Sequence, residues 1–206
     1  MGDQLLRLDA ARFSGDGTLS AAGDLAIALE GDAANTQSLQ SGRDLSYSTT
    51  GNFSNSAKLL AGRTLNVGAG NVDNQAGAEM SGTTTVVKAP GTLTNRGLID
   101  SQGATQIDAG TVNNIGTGRI YGDAISIAAG ALVNDVETRD GQTQAATIAA
   151  RSSLDIGANT IRNREHALIF SAGDMFIGGK LDGERFATGQ GDTLDNLSAE
   201  IETLGN

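Results

Sequence analysis

The sequence predicts an all-β chain wound as a right-handed parallel β-helix of about nine coils, with roughly 20 residues and three short strands per coil. Three observations support this prediction. An apolar residue, a spacer and an asparagine recur about every 20 residues. In most copies, a second apolar pair with strand-like alternation lies five or six residues before the apolar residue of this motif. The composition is rich in glycine, with 29 Gly, and only 3% of the 206 residues are aromatic, which suits a narrow interior of small, equivalent layers.

The recurring asparagine defines the period. Successive asparagines are separated by 20, 19, 21, 19, 20, 29 and 33 residues, and a weaker first copy, Phe13 with Gly15, stands 20 residues before the first of them. Equivalent asparagines in stacked coils can join their amides into a ladder along the axis, as in cross-β stacks. We therefore predict a structural ladder. Its members are Asn35, Asn55, Asn74, Asn95, Asn114, Asn134, Asn163 and Asn196.

Two further sets of apolar positions complete each predicted coil. The alternating pairs run from Leu25 and Ile27 to Leu154 and Ile156. Small-residue corners separate the strands and lack the residue pairs of tight hairpins, so equivalent strands are predicted to stack in parallel. The right hand follows from the strong preference of parallel crossovers. A third apolar residue follows most ladder asparagines, at Leu39, Leu59, Met80, Ile99, Ile120 and Ile169.

The two long asparagine intervals predict insertions. About nine extra residues fall in 135–147 and about thirteen fall around 182–192. Insertions leave a solenoid as loops, and binding often resides on them. The alternative is a solvated loop or an outlying hairpin without a ligand. The candidate binding residues are Glu137, Arg139, Asp140, Glu184, Arg185 and Phe186. The last stretch, 194–204, fits the repeat and is also open to a helical interpretation.

Composition argues against several classes of function. The net charge of −10 opposes binding to nucleic acid or to an anionic membrane surface. No apolar run approaches the 18 residues of a membrane span, and no signal peptide is evident. The chain has no cysteine, and its one histidine, His166, has no second imidazole or thiolate to complete a metal site. We therefore predict no catalytic residue, no metal and no cofactor.

An enzyme acting on polysaccharides is the third alternative, because many carbohydrate-active enzymes use a parallel β-helix. Such chemistry needs clustered carboxylates, or a basic residue beside metal-binding acids, at coil spacing on one face. The chain has three lysines, one histidine and few aromatic rings for sugar stacking. The sequence therefore favours a protein that is not an enzyme.

The coil motif resembles the haemagglutinin repeat of the filamentous haemagglutinin family. The resemblance rests on residues 61–67, Ala-Gly-Arg-Thr-Leu-Asn-Val, and residues 72–77, Val-Asp-Asn-Gln-Ala-Gly. Residues 153–182 are similar to the same repeat region, and the likeness extends over nearly the whole chain. The family includes adhesins and the stalks of contact-dependent growth inhibition exoproteins.

The resemblance implies that residues 1–206 form one β-helical segment of a much longer exoprotein. Such proteins pass through an outer-membrane two-partner-secretion transporter and are secreted or displayed at the surface of a Gram-negative bacterium. The implied function is a non-enzymatic rod that presents adhesive or toxin regions. The alternative is an adhesin segment whose two insertions bind a receptor or glycan on a host or target cell.

Overall fold

The computed structural model describes residues 4–15 and 17–205, so residues 1–3, 16 and 206 of the predicted segment lie outside the described part. Within that part the chain is all-β, without helix. It winds through nine coils whose equivalent strands pair in parallel, which confirms the predicted parallel β-helix. The right hand stays a prediction from the crossover rule. Coils 1 to 9 span residues 4–21, 24–41, 45–61, 64–82, 84–101, 104–122, 124–150, 153–171 and 174–203.

Three stacks of strands form the walls of the solenoid, here named A, B and C in chain order within a coil. Wall A contains β1 (Leu5–Ala10), β3 (Asp24–Leu29), β6 (Leu45–Thr49), β9 (Thr64–Gly68), the first parts of β12 (Thr84–Asn95) and β14 (Ala104–Ile115), the middle parts of β15 (Arg119–Arg139) and β17 (Thr147–Arg164), and β19 (Asp174–Gly178).

Wall B follows after the first corner of each coil. It contains β4 (Ala33–Asn35), β7 (Asn52–Asn55), β10 (Asn71–Asn74), the later parts of β12, β14, β15 and β17, and β22 (Thr193–Leu197). Wall C closes each coil. It contains β2 (Leu19–Ala21), β5 (Leu39–Ser41), β8 (Lys58–Ala61), β11 (Glu79–Gly82), β13 (Leu98–Ser101), the first residues of β15 and β17, β18 (Leu168–Ser171) and β23 (Glu200–Thr203).

The interior is a column of apolar side chains that repeat in register. On wall A, Leu25 pairs with Leu45, which pairs with Leu65. Each of these leucines is at most 1% exposed. A fully buried Leu or Ile stabilises a fold by roughly 1.5–3 kcal/mol relative to an exposed one. Because the strands alternate with period two, coils 2 to 8 bury one face of each wall and turn the other outward, whereas the strands of the two terminal coils are largely exposed.

The strands of coils 5 to 8 run through the corner between walls A and B, so the predicted three short strands merge there. In coil 2 the same corner contains Gly31, whose φ of 68° turns the backbone out of the extended region. Gly91 and Gly110 at the equivalent corners have no such φ, so β12 and β14 continue. In coils 3 and 4 the strands also stop at this corner, although Gly51 and Gly70 have no positive φ, so the left-handed φ explains the interruption in coil 2 alone.

Both long intervals form antiparallel hairpins outside the stack. The end of β15 pairs with β16 (Gln142–Ala145), and β20 (Lys180–Leu181) pairs with β21 (Ala187–Thr188). The chain re-enters wall C at Ile148, which pairs with Ile120 and Ile169. Sequence analysis missed this buried position, because the hairpin places it 14 residues after Asn134. The stretch 194–204 belongs to β22 and β23, so the helical interpretation is wrong.

Glycine at the corner between walls C and A is required by close approach of stacked backbones. A Cβ built on Gly62 lies 2.2 Å from the carbonyl oxygen of Gly42, whereas a Cβ on Gly68 meets nothing within 4 Å. We expect Gly62→Ala to lower the free energy of unfolding by about 1–3 kcal/mol through overpacking. Gly68→Ala is the matched control and should leave stability unchanged or slightly raised. Equal urea midpoints for the two variants would contradict this account.

Candidate functional site: an asparagine ladder and two hairpins

The eight predicted asparagines form one continuous hydrogen-bonded ladder on the inner side of wall B. In each step the Nδ2 of one asparagine donates to the Oδ1 of the asparagine in the next coil. The seven steps measure 2.8 or 2.9 Å and link Asn35, Asn55, Asn74, Asn95, Asn114, Asn134, Asn163 and Asn196 in chain order.

From Asn55 to Asn163, the second amide hydrogen of each ladder asparagine is bonded as well. Asn74 Nδ2 donates to the carbonyl oxygen of Leu98 at 3.2 Å, and Asn114 Nδ2 donates to that of Thr147 at 3.1 Å. These acceptors lie where wall C begins in the following coil. Both asparagines are fully buried. Since a buried amide is costly unless its donors and acceptor are satisfied, the ladder stabilises the stack only while each step is occupied.

The ladder starts at Asn35 because the first coil has glycine at the equivalent place. Thr36 Oγ1 donates to the carbonyl oxygen of Gly15, just as Ser56 Oγ donates to that of Asn35 one coil later. The buried Oδ1 of Asn35 has no hydrogen-bond partner among the described residues. At the other end Asn196 is exposed and its Nδ2 donates to the carbonyl oxygen of Ala199 at 3.1 Å.

A second, exposed ladder was missed by sequence analysis. Asn52 Nδ2 donates to Asp32 Oδ1 at 2.9 Å, and Asn71 Nδ2 donates to Asn52 Oδ1 at 2.7 Å. Asn71 Oδ1 in turn accepts the backbone N–H of Thr92 at 2.6 Å. The signal was present, because a polar residue stands three positions before each of the first four ladder asparagines. This ladder borders an open groove of about 460 Å³ on wall B, whose ionisable lining residues are Asp32 and Asp73.

The first hairpin, formed by the end of β15 with β16, leaves the stack at the corner between walls B and C. Its turn residues Asp140 and Gly141 have φ values of 51° and 75°. Positive φ at both central residues is typical of a type I′ turn, for which Asp-Gly is a favoured pair. This local signal was also overlooked. Of the candidate residues here, Arg139 and Asp140 lie at the exposed tip, with side chains 63% and 94% exposed.

Glu137 faces the solenoid and is held by Arg96. Arg96 donates from Nε to Glu137 Oε2 at 2.8 Å and from Nη2 to Glu137 Oε1 at 2.9 Å. The hydrogen bonds from Arg96 lower the pKa of Glu137, and the same bonds raise the pKa of Arg96. A paired guanidinium and carboxylate of this kind fixes the hairpin on the wall. Glu137 therefore does not belong to the exposed tip.

The second hairpin, formed by β20 and β21, folds back over wall A. Its turn is closed by Asp182, whose Oδ1 accepts the backbone N–H groups of Glu184 and Phe186, both at 2.9 Å. A Cβ on Gly157 would lie 2.2 Å from the backbone of Lys180, so glycine is needed where the hairpin crosses the wall. The insertion was predicted around 182–192, whereas the paired strands begin two residues earlier, at Lys180.

The three candidate residues of this turn point in different directions. Phe186 is 55% exposed and Glu184 is also exposed, whereas Arg185 reaches onto wall A. Its Nη1 donates to Asp108 Oδ1 at 2.8 Å, and its Nε donates to Ser126 Oγ at 2.6 Å. The two hairpins leave the stack at different corners, so the structure does not bring the six candidate residues together in one site.

Within residues 4–15 and 17–205, no group of three His, Asp or Glu side chains could hold a metal ion. His166 is exposed in the turn between walls B and C, with a φ of 68°. The same residues include no helix with the length and hydrophobicity to span a membrane.

In-register coils, a buried amide ladder and hairpins expelled at the corners define a parallel β-solenoid repeat protein. The family model described as the haemagglutinin repeat matches residues 5–57, 45–97, 80–136 and 127–206. The chain belongs to this family, which confirms the resemblance stated from the coil motif. Searches of curated proteins and of solved structures each gave no match.

The ladder predicts a large penalty for replacing one inner asparagine. Asn95→Leu leaves Asn74 without its acceptor and Asn114 without its donor, and both amides are fully buried. At about 1–3 kcal/mol for each unsatisfied buried group, we expect a loss of roughly 3 kcal/mol in the free energy of unfolding. Asn66→Leu, at an exposed position on wall A, is the control and should change stability by less than about 0.5 kcal/mol. Similar melting temperatures for both variants would refute the ladder's stabilising role.

Proposed function

We propose that this chain is a rod-forming, non-enzymatic segment of a filamentous exoprotein, which holds adhesive or toxin regions away from the cell. Membership of the haemagglutinin repeat family and the β-solenoid fold support a structural, adhesin-type segment. Both adhesins and contact-dependent growth inhibition exoproteins fit this role. A stalk and an adhesin differ in the region that the rod presents, and the same coils can form the rod in either protein.

The observation that best supports the proposal is the unbroken inner ladder through coils 2 to 9. A stack whose walls stay paired from coil to coil behaves as a stiff column, because each strand is bonded to its equivalent about 4.8 Å away. The register shifts, between Ala89 and Thr92 and between Gly122 and Ala124, lie at corners. Nine coils then extend roughly 40 Å along the axis. The interior side chains repeat, while the outward residues vary from coil to coil. This is the pattern of a spacer whose length matters more than any single surface patch.

Export through an outer-membrane two-partner-secretion transporter and location outside a Gram-negative cell are part of the same proposal. The family supports this context, since its proteins are typically secreted or surface-exposed. The physical properties are compatible with it. Repeat proteins fold by adding units to those already formed, so a chain that emerges gradually can stack coil by coil. The chain also has no cysteine that would be oxidised outside the cell.

Deletion of one complete coil tests the rod function. Removing residues 64–83 joins Arg63 to Thr84, which occupies the same register position as Thr64, so the stack should close and lose about 4.8 Å of length. We expect the exoprotein carrying this deletion to keep its surface display and its adhesion or toxin delivery. A half-coil deletion, residues 64–73, destroys the register and should abolish display. Loss of adhesion with intact fold and display after the full-coil deletion would overturn the proposal.

A receptor- or glycan-binding role for the insertions is the second candidate. It is favoured by one observation: the tips expose Arg139 and Asp140 on one hairpin and Phe186 on the other. If the tips bind a host or target cell, Arg139→Ala with Asp140→Ala, or Phe186→Ala, should weaken cell binding at least tenfold without changing the melting temperature. Unchanged cell binding in both variants would exclude the tips as the epitope and leave the rod function intact.

A further inference from the structure

Among the residues that the structure describes, the arginines Arg96, Arg151 and Arg185 make contacts that skip a coil, in a fold whose repeats normally contact only their neighbours. Most side-chain hydrogen bonds between coils join adjacent ones. For example, Arg63, just before coil 4, bonds Asp44, just before coil 3, at 2.6 Å. Arg96, Arg151 and Arg185 reach further. They all act within the part of the rod that carries the hairpins.

Arg185 makes the longest connection. It belongs to the hairpin of coil 9, yet its Nη1 bonds Asp108 of coil 6 at 2.8 Å. Its Nη2 lies 3.2 Å from the carbonyl oxygens of Ile107 in coil 6 and of Ser126 in coil 7. Asp155 of coil 8 accepts the backbone N–H of Ala187 in the same hairpin at 2.8 Å. One hairpin is therefore bonded to three successive coils besides its own.

The other two arginines connect coils in the same region. Arg96, at the end of wall B in coil 5, binds Glu137 on the hairpin of coil 7 and passes over coil 6. Arg151, between coils 7 and 8, donates from Nη2 to the carbonyl oxygen of Ser101 at 2.6 Å, at the end of coil 5. These bonds lie at different corners of the solenoid, so coils 5 to 9 are joined on more than one side.

The backbone conformation of Arg185 also indicates that its side chain is required for the contact with wall A. Its φ of 70° lies in the left-handed region, which glycine or asparagine adopts more readily than arginine. The guanidinium has five N–H donors in a fixed fork, and here it meets a carboxylate, a hydroxyl and two carbonyl oxygens. Local backbone preference is thus overridden at the residue that ties the hairpin to the wall.

We propose that these arginines are straps that make coils 5 to 9 one cooperative unit, which opens as a block instead of unwinding coil by coil. Two of the three straps depend on the insertions, because the first hairpin supplies Glu137, the partner of Arg96, and the second supplies Arg185 itself. The insertions then have a mechanical role in the rod. A single repeat interface can open when its own bonds break, whereas a strapped coil must break bonds to coils further along as well. The inference extends the proposed rod function but rests only on contacts within the chain.

Hydrogen exchange of the 206-residue chain tests the proposal, with Arg185→Asn as the main variant. Asparagine suits the left-handed φ and cannot reach wall A, so the hairpin turn stays favourable while the strap is lost. We expect amides of wall B in coil 6 (111–115) and of wall C in coil 8 (168–171) to exchange about tenfold faster. No hydrogen bond of the Arg185 side chain ends in either segment. Faster exchange confined to 180–188 and the wall A strands beneath it would overturn the cooperative unit.

Two further variants separate a strap from a misfolded hairpin. Asp108→Ala removes the far anchor and leaves the hairpin sequence intact, so it should speed exchange in the same two segments. The double variant should be no worse than the more severe single variant, because both remove one interaction. Strictly additive effects on the exchange rates would overturn the strap.

Arg63→Asn, which breaks a bond between adjacent coils, is the control and should leave the exchange rates of 111–115 and 168–171 unchanged. The proposed rod function and the proposed straps can be refuted separately, because the coil deletion tests the first and these exchange rates test the second.

Discussion

The structure depends on one constraint, the in-register hydrogen bonding of each strand to the equivalent strand of the next coil. Because that pairing is parallel and one coil apart, whatever side chain faces inward in one coil lies directly above its counterpart in the next. The constraint explains the interior of leucine, isoleucine and valine. It also explains the corner glycines, since at Gly62 the backbone of the neighbouring coil leaves no room for a Cβ. Extra residues can be accepted only at corners, where they leave the stack without disturbing register.

The inner ladder applies the same constraint to a polar side chain. An asparagine inside an apolar column is favourable where the asparagines above and below satisfy its amide, which is why the residue recurs in successive coils. Asn35, at the start of the ladder, is the exception, since its buried Oδ1 has no partner among the described residues. The ladder is continuous across the intervals of 29 and 33 residues, where Asn134 bonds Asn163 and Asn163 bonds Asn196, each at 2.8 Å. The spacing of the asparagines in space, one coil apart, therefore stays constant where a hairpin is inserted, although their spacing in the sequence increases. The ladder depends on the spacing in space.

The difference between spacing in the sequence and spacing in the structure determines which features the sequence could predict. The walls and the ladder were accessible because residues such as Leu65 and Asn74 recur at a nearly constant interval. Ile148 was missed because the hairpin breaks that interval. The Asp140-Gly141 turn was within reach, since its signal is local. The contact of Arg185 with Asp108 was not, because the two are 77 residues apart and meet only through the direction in which the second hairpin folds. No local pattern specifies that direction.

The hairpins also bear on how a rod of repeats can resist force. In a stack held by nearest-neighbour contacts, the weakest interface decides where opening begins, and each coil released exposes the next. A strap from coil 9 to coil 6 changes that order, because the outer coils cannot peel away without breaking bonds to coils still in place. Glu137 and Arg185 are the hairpin residues that face the wall, while Arg139 and Phe186 face solvent. A single insertion can thus reinforce the column with one face and vary the surface with the other, so that binding can change without weakening the rod.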